Sequence, residues 1–389
     1  MADYVTRGSL ARPRPFEDSR VAAYVRRLDW LLLGAVAALV AYGLWVIAGV
    51  TGDDIIGKES YFVVRQGFSV ALGCIALVAA TALDPGMYRR HKRIVFGGMI
   101  FILLVVIVLG TEVRGSQRWL DIGFYRFQPS EFSKLLLVLS LAAFVADRGK
   151  RIGETRTVAA AVGLAAIPTA LVFLQPDIGT ALVYAAGLAA VLFFAGARWW
   201  HLAVLAAIGV FVVMFVLWLG PAAGLQILKP YQTARLTAFA NPENDPGGAG
   251  YNVDQSITAV GAGGLRGRGV EHATQTNLDY LPEHATDFVF ASLAEQRGFV
   301  GASIVLLLYL LVIWRAIKIV AAARDAFMAT AAGAIAFVLL FQIFVNVGMT
   351  IGLAPVTGIP LPFVSFGGSA MVANLAAIGV LQAIAARRR

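Results

Sequence analysis

The sequence predicts an all-α polytopic membrane protein, a bundle of ten transmembrane helices with a long outer loop between spans 7 and 8. Three observations predict it. Of the 389 residues, 59% are hydrophobic and 14% charged, with a mean hydropathy of +0.76, against roughly 25% charged residues in a soluble domain. Ten apolar stretches approach the roughly 20 residues that cross a hydrocarbon core about 30 Å thick. The basic residues alternate in density from one connection to the next, as the positive-inside rule requires. Open sheets and irregular backbone are excluded, because lipid satisfies no exposed backbone donor.

The first span, near 29–50, follows a basic tail, 1–28. No A-x-A-like cleavage site follows its apolar run, so it reads as a retained span rather than a signal peptide. Spans two and three, near 61–82 and 94–111, flank Arg89, Arg90, Lys92 and Arg93. The outward loop 112–129, EVRGSQRWLDIGFYRFQP, leads into span four, near 130–147. Spans five and six lie near 157–175 and 178–196. Spans four and six open on related strings, QPSEF at 128–132 and QPDIG at 175–179. Proline in a first turn lacks only a donor that would be unpaired anyway, and Ser130 or Asp177 can cap the free N–H groups.

Span seven, near 199–221, is followed by the outer loop 222–286, far beyond the roughly 12–15 residues of ordinary connections. Its apolar and aromatic residues, among them Tyr231, Phe239, Tyr251 and Leu265, and its glycines between Gly247 and Gly269 predict an ordered outer cap rather than a disordered linker. Spans eight to ten lie near 288–314, 327–352 and 367–385. Span eight exceeds the core thickness, so its first turns should protrude or tilt, leaving Asp287 at the outer interface.

The net charge of +9 follows topology rather than nucleic acid. With the N-terminus inside, the inner segments hold Arg26, Arg27, Arg148, Lys150, Arg151, Arg156, Arg198, Arg315, Lys318, Arg324 and Arg387. The outer ones hold only Lys58, Arg114, Arg118, Arg126, Lys229, Arg235, Arg266 and Arg268. Both termini inside fits an even number of spans. Cys74, the one cysteine, excludes an intrachain disulfide. The whole chain, 1–389, reads as a single integral membrane domain.

Ionisable residues within spans are costly and mark functional sites by default. Here they gather on the outer side: Glu131 and Lys134 in span four, Asp177 at the start of span six, and Asp287, Glu295 and Arg297 in span eight, with Arg65 in span two. Glu131 and Lys134 share a helix face, which suits a structural ion pair as well as a functional one. Asp287 suits a helix cap as well as an ionised carboxylate at the headgroup level. Arg114, Arg118 and Arg126 outnumber the acids of their loop, so an anionic ligand is expected there. Glu271-His272 and Glu283-His284 lack metal-ligand spacing, so no structural metal is expected. No phosphate-binding, dinucleotide or hydrolase motif is present. The residues alone describe an outward site for an anionic, amphipathic, lipid-linked substrate.

Six strings, in order, resemble the SEDS family (shape, elongation, division and sporulation; the RodA and FtsW proteins). They are GSQRWLDIGFYRFQPSEFSKL (115–135), QPDIGTAL (175–182), PYQTARLTAFANPENDPGGAGYNVDQS (230–256), GAGGLRGRG (261–269), TQTNLDYLPEHATDFVFASLAEQRGFVG (274–301) and NVGMTIGLAPVTGIPLPFVSFGGS (346–369). The last is closer to RodA-like members, and elongation and division both stay open. The family usually has His immediately before Thr-Asp, where this chain has Ala285, with His284 one place earlier.

The resemblance implies a peptidoglycan glycosyltransferase that joins lipid II disaccharides with inversion, releasing undecaprenyl pyrophosphate. It implies a class B penicillin-binding protein as partner, residence in the bacterial inner membrane, and Asp287 as the essential carboxylate. Glu131 and Lys134 then line the outward cavity. An inverting transfer needs a base for the acceptor hydroxyl and positive charge for the leaving pyrophosphate. Asp287 is expected as base, with Arg118, Lys134, Arg114, Lys229 and Arg235 on the pyrophosphate and Glu131 aiming Lys134. Asp177, Glu283, Ser365 and Ser369 complete the expected substrate-binding set. No cofactor is required, and a divalent cation sharing the leaving-group charge is compatible with the residues. A flippase for the same precursor and a non-catalytic scaffold are the competing readings; the outer placement of every intramembrane charge disfavours the flippase, whose relay should lie near the midplane.

Overall fold

The computed structural model describes residues 20–52, 54, 60–113, 116–123, 125–224, 233, 248–278 and 280–388. A short helix, α1 (Arg20–Arg26), precedes α2 (Trp30–Val50) and α3 (Tyr61–Ala82); a short α4 (Pro85–Arg90) turns the chain into α5 (Lys92–Leu109). Three short strands, β1 (Thr111–Val113), β2 (Ser116–Ile122) and β3 (Tyr125–Phe127), lead to α6 (Pro129–Arg148), α7 (Thr155–Leu174), α8 (Ile178–Phe194) and α9 (Trp199–Met214). Beyond the long loop come α10 (Ala249–Gly263), α11 (Thr274–Asn277), α12 (Val289–Ala321), α13 (Ala326–Thr350) and α14 (Gly368–Ala386).

Among the described residues nine helices are long and apolar enough to cross a membrane. The sixth expected span is the shorter α8, 17 residues or roughly 26 Å at 1.5 Å per residue, enclosed by α6, α7 and α13. Its start is fixed as the QPDIG string predicts: Asp177 Oδ1 accepts from Thr180 N at 3.0 Å. The bundle is built around α14, which is buried along nearly its whole length and packs most extensively on α3. Small residues allow this, since a Cβ at Gly379 would sit 2.8 Å from Ala80 Cβ and 3.0 Å from Leu77 Cα. By contrast α9 faces outward throughout and buries only His201 at its inner end.

The first outer loop holds a feature the sequence reading did not assign. β1, β2 and β3 form an antiparallel sheet, with Thr111 opposite Trp119 and Leu120 opposite Phe127. Its backbone edges require water, which places it above the hydrocarbon.

Of the 222–286 segment, the residues from 248 on are described almost throughout. α10 lies along α12, and the GLRGRG turn after it docks onto a break in α12. Gly298 (φ 67°, ψ −167°) interrupts that helix, so span eight is an outer arm, 289–297, followed by the spanning segment. The break costs little hydrogen bonding because the turn supplies partners: Arg268 N donates to Glu295 O (2.9 Å), Gly269 N to Gln296 O (3.0 Å), and Phe299 N to Gly264 O (2.8 Å).

Glu295 and Arg297 have structural employment in this joint. Glu295, fully buried, accepts from Gln275 N (2.9 Å), Thr276 N (3.1 Å) and Thr276 Oγ1 (2.8 Å), holding α11 down. The Arg297 guanidinium lies 3.8 Å from the Trp45 ring centroid.

Candidate functional site

Asp287 is half-buried in the turn that leads into α12. Its backbone stands outside the helical ladder, because Ala291 N and Ser292 N both donate to Phe288 O. Other elements hold it instead. Phe366 N donates to Ala285 O (2.9 Å), Ser365 Oγ to Thr286 O (2.6 Å), and Asn346 Nδ2 to Asp287 O (2.9 Å). The left-handed Glu283 (φ 58°) opens this turn and accepts a hydrogen bond from Thr286 Oγ1 at 2.8 Å. His284, buried and displaced by one place from the family position, has its Nδ1 3.2 Å from Leu281 O and its Nε2 3.2 Å from both carboxylate oxygens of Asp54.

The second part of the site is the outer end of α6. Glu131 and Lys134 are both buried and pair at 2.7 Å. They line a cavity between α6, α13 and α14, together with Gln342, Asn374 and the apolar side chains of Val138 and Leu339. Each charge of this buried pair compensates the other, and either one left alone there would be costly. Beside the pair, Asp177 Oδ2 accepts from Thr180 Oγ1 (2.9 Å) and Gln128 Nε2 (3.1 Å). Arg118 from β2 reaches Asp177 Oδ1 at 3.6 Å, and Arg126 lies 3.9 Å from Asp121. Two of the three loop arginines thus face carboxylates, contrary to the expected surplus of unneutralised charge.

The SFGGS string joins the two parts. Ser365 is bound to Thr286, while Ser369 accepts from Gln128 N (2.8 Å) and donates to Arg126 O (3.3 Å) at the start of α6. Both serines are buried and hydrogen-bonded to main-chain groups. The second link is α13, where Asn346, bound to Asp287, stands one helical turn from Gln342 in the cavity wall. Burial pushes the Tyr125 hydroxyl up from its ordinary pKa.

Of the expected residues, Asp287, Glu283, Ser365, Ser369, Glu131, Lys134, Asp177 and Arg118 fall on these connected elements. Arg114, Lys229 and Arg235 lie outside the described residues. Among the described residues, no three His, Cys, Asp or Glu side chains are grouped to hold a metal ion. Asn346 and Gln342 escaped the sequence reading. Their signal was two amides four residues apart in an apolar span, which places both on one face.

The model of the cell cycle protein family FtsW/RodA/SpoVE matches residues 28–389. The chain is 38% identical over 362 residues to the peptidoglycan glycosyltransferase MrdB of Escherichia coli K12, covering 93% of this chain and 94% of that protein. Its fold is similar to a chain from a peptidoglycan synthase complex that coordinates polymerization and crosslinking: TM-score 0.78, 30% identity, 92% of this chain and 97% of that one. It is also similar to the rod shape determining protein RodA of Thermus thermophilus, with TM-score 0.68, 28% identity, and 93% and 97% coverage. With a match this long, through every element that builds the site, the chain belongs to the FtsW/RodA/SpoVE family of cell cycle proteins.

Proposed function

We propose that this chain is a peptidoglycan glycosyltransferase, a membrane-embedded polymerase that joins lipid II disaccharides into glycan strands for cell-wall elongation or division. The observation that carries this is the kinship with MrdB over 93% of the chain, which spans every described site residue.

In the reaction, the GlcNAc 4-hydroxyl of the acceptor attacks the MurNAc anomeric carbon of the donor from the face opposite the pyrophosphate. The new C1–O4 bond forms as the bond from C1 to the phosphate oxygen breaks. Undecaprenyl pyrophosphate leaves with the electron pair, and the anomeric configuration inverts. Asp287 takes the hydroxyl proton as general base. Its place at the outer interface suits a substrate whose sugars are in water and whose prenyl chain is in lipid.

The leaving group carries the developing charge, and fixed cations stabilise it best where water is scarce. Lys134, aimed by Glu131 in the cavity wall, and Arg118, 29% exposed beside Asp177, fill that role. Arg114, Lys229 and Arg235 add positive charge for the leaving group in this reading, and Glu283 and Asp177 orient the sugars and the Arg118 side chain. The partner is a class B penicillin-binding protein that crosslinks the strands, and the protein sits in the inner membrane with both termini cytoplasmic.

The test is strand formation from fluorescently labelled lipid II by the purified full-length chain with that partner, with and without a chelator. Polymer is expected from the wild type, and loss on chelation would add a divalent cation to the leaving-group site. No polymer, with labelled lipid II instead crossing vesicle membranes, overturns the reading in favour of a flippase.

A further inference from the structure

The Asn346 side chain is fully buried in α13, yet its amide does no work within that helix. Nδ2 carries two hydrogens, and both are used: one on Asp287 O at 2.9 Å, the other on Ile359 O at 2.8 Å. One planar group thereby fixes two segments 72 residues apart in the chain. Both carbonyls accept this side-chain amide from outside their own segments. The acceptor end, Oδ1, is buried without a protein partner among the described residues. A leucine would fill the same volume without that desolvation penalty, so packing alone does not account for an amide here.

The 359–366 loop to which Asn346 ties Asp287 is itself rigidly held. Leu361 N donates to Ser365 Oγ (2.8 Å) and Ser365 N to Leu361 O (3.0 Å), closing the turn. Gln66 of α3, fully buried, donates to Ser365 O (3.1 Å) and accepts from Gly367 N (3.2 Å). Three consecutive carbonyls, of Ala285, Thr286 and Asp287, are thus each fixed by a different donor on a scaffold anchored to α3 and α13. The residues after Asp287 enter a helix, while His284, before it, has its Nε2 3.2 Å from the Asp54 carboxylate. These three donors tie the segment to that scaffold.

We propose that Asn346 is a positioning residue for the Asp287 carboxylate, locking its backbone to α13 and to the 359–366 loop through one side-chain amide, with Ser365 as the second lock. The inference rests on the reading of Asp287 as general base. A carboxylate at the end of a free turn samples positions about 1 Å apart, and a misplacement of that size costs about a hundredfold in rate. Substrate capture, which uses other groups, should be spared.

The experiment compares the wild type with Asn346→Leu, Ser365→Ala and Asp287→Asn as purified full-length proteins, each shown to be folded by its size-exclusion profile and melting midpoint. Polymerisation of labelled lipid II is measured across substrate concentration. Asn346→Leu is expected to lower kcat about 10- to 100-fold with KM within about twofold. Ser365→Ala should show the same split with a smaller loss, and it decides the matter alone if Asn346→Leu fails to fold. If Asp287→Asn is inactive while the folded locking variants keep kcat within twofold of wild type, or raise KM in step with any loss, the positioning role is overturned and the base survives. If Asp287→Asn polymerises normally, the base itself is refuted, and the positioning role with it.

Discussion

The joint between the GLRGRG turn and the broken helix α12 is a place where one carbon atom should separate two chemically identical substitutions. Gly267 has φ 81°, and a Cβ there would lie 2.5 Å from Gln296 C and 2.6 Å from Arg297 N, backbone atoms that cannot rotate away. Left-handed backbone costs an alanine roughly 1–2 kcal/mol, and overpacking adds about 1–3 kcal/mol. Gly267→Ala should therefore weaken the joint by about 2–5 kcal/mol. Gly261, six residues earlier in α10, has open space around its Cβ position and helical backbone, so Gly261→Ala should gain up to about 1 kcal/mol from helix propensity. The assay is hydrogen exchange of peptides covering 264–269 and 298–301 in detergent, because a large membrane protein gives no single two-state unfolding energy. At about 1.4 kcal/mol per decade, the Gly267 variant should lose about thirtyfold to a few thousandfold of protection. Protection within threefold of wild type for Gly267→Ala, or an equal loss for Gly261→Ala, would refute the assignment of this turn as the partner of the break.

Two other substitutions probe the supports of the fold. Glu295→Ala strands three donors on Gln275 and Thr276; with bonds to a charged acceptor contributing about 1.5–3 kcal/mol each and not additively, a loss of roughly 3–5 kcal/mol should free α11. Limited proteolysis cutting near 274–277 in the variant and not in the wild type is the expected readout. At the start of α2, Arg315 Nη2 reaches the buried Asp29 carboxylate at 2.6 Å and Nε at 3.1 Å, while Gln382 clasps the Asp29 backbone. Arg315→Met alone should cost about 3–5 kcal/mol by leaving that charge unpaired, and Arg315→Met with Asp29→Asn should recover part of the lost melting midpoint.

The spans were legible in the sequence because lipid forces each segment to satisfy its own backbone, so length and hydropathy suffice. The start of α8 was legible for a local reason, since Asp177 and the Thr180 N–H it caps lie three residues apart; α6 starts without a side-chain cap, because Ser130 faces Asp177 rather than its own helix end. Glu295 and Arg297 were harder. An ionisable residue in a span defaults to a site, but the partners that make these two structural, Thr276 and Trp45, lie far off in sequence. The sheet at 111–127 was missed because its strands are short and its pairing depends on where α5 and α6 end. Asp287 could be found from its chemistry and from the resemblance. Asn346 could not, because its role exists only once α13 has brought it beneath the turn that carries Asp287.

The most direct measurement is single-turnover glycan bond formation from labelled lipid II by Asp287→Asn beside the wild type, each purified with the transpeptidase partner. Asparagine keeps the size and the hydrogen-bonded backbone of the turn but takes no proton. A rate lower by about 10²- to 10⁴-fold, the usual contribution of a general base, with lipid II still bound, is the predicted result. Polymerisation at the wild-type rate by the folded variant would contradict it, and would leave Asp287 as no more than the lead-in to a helix.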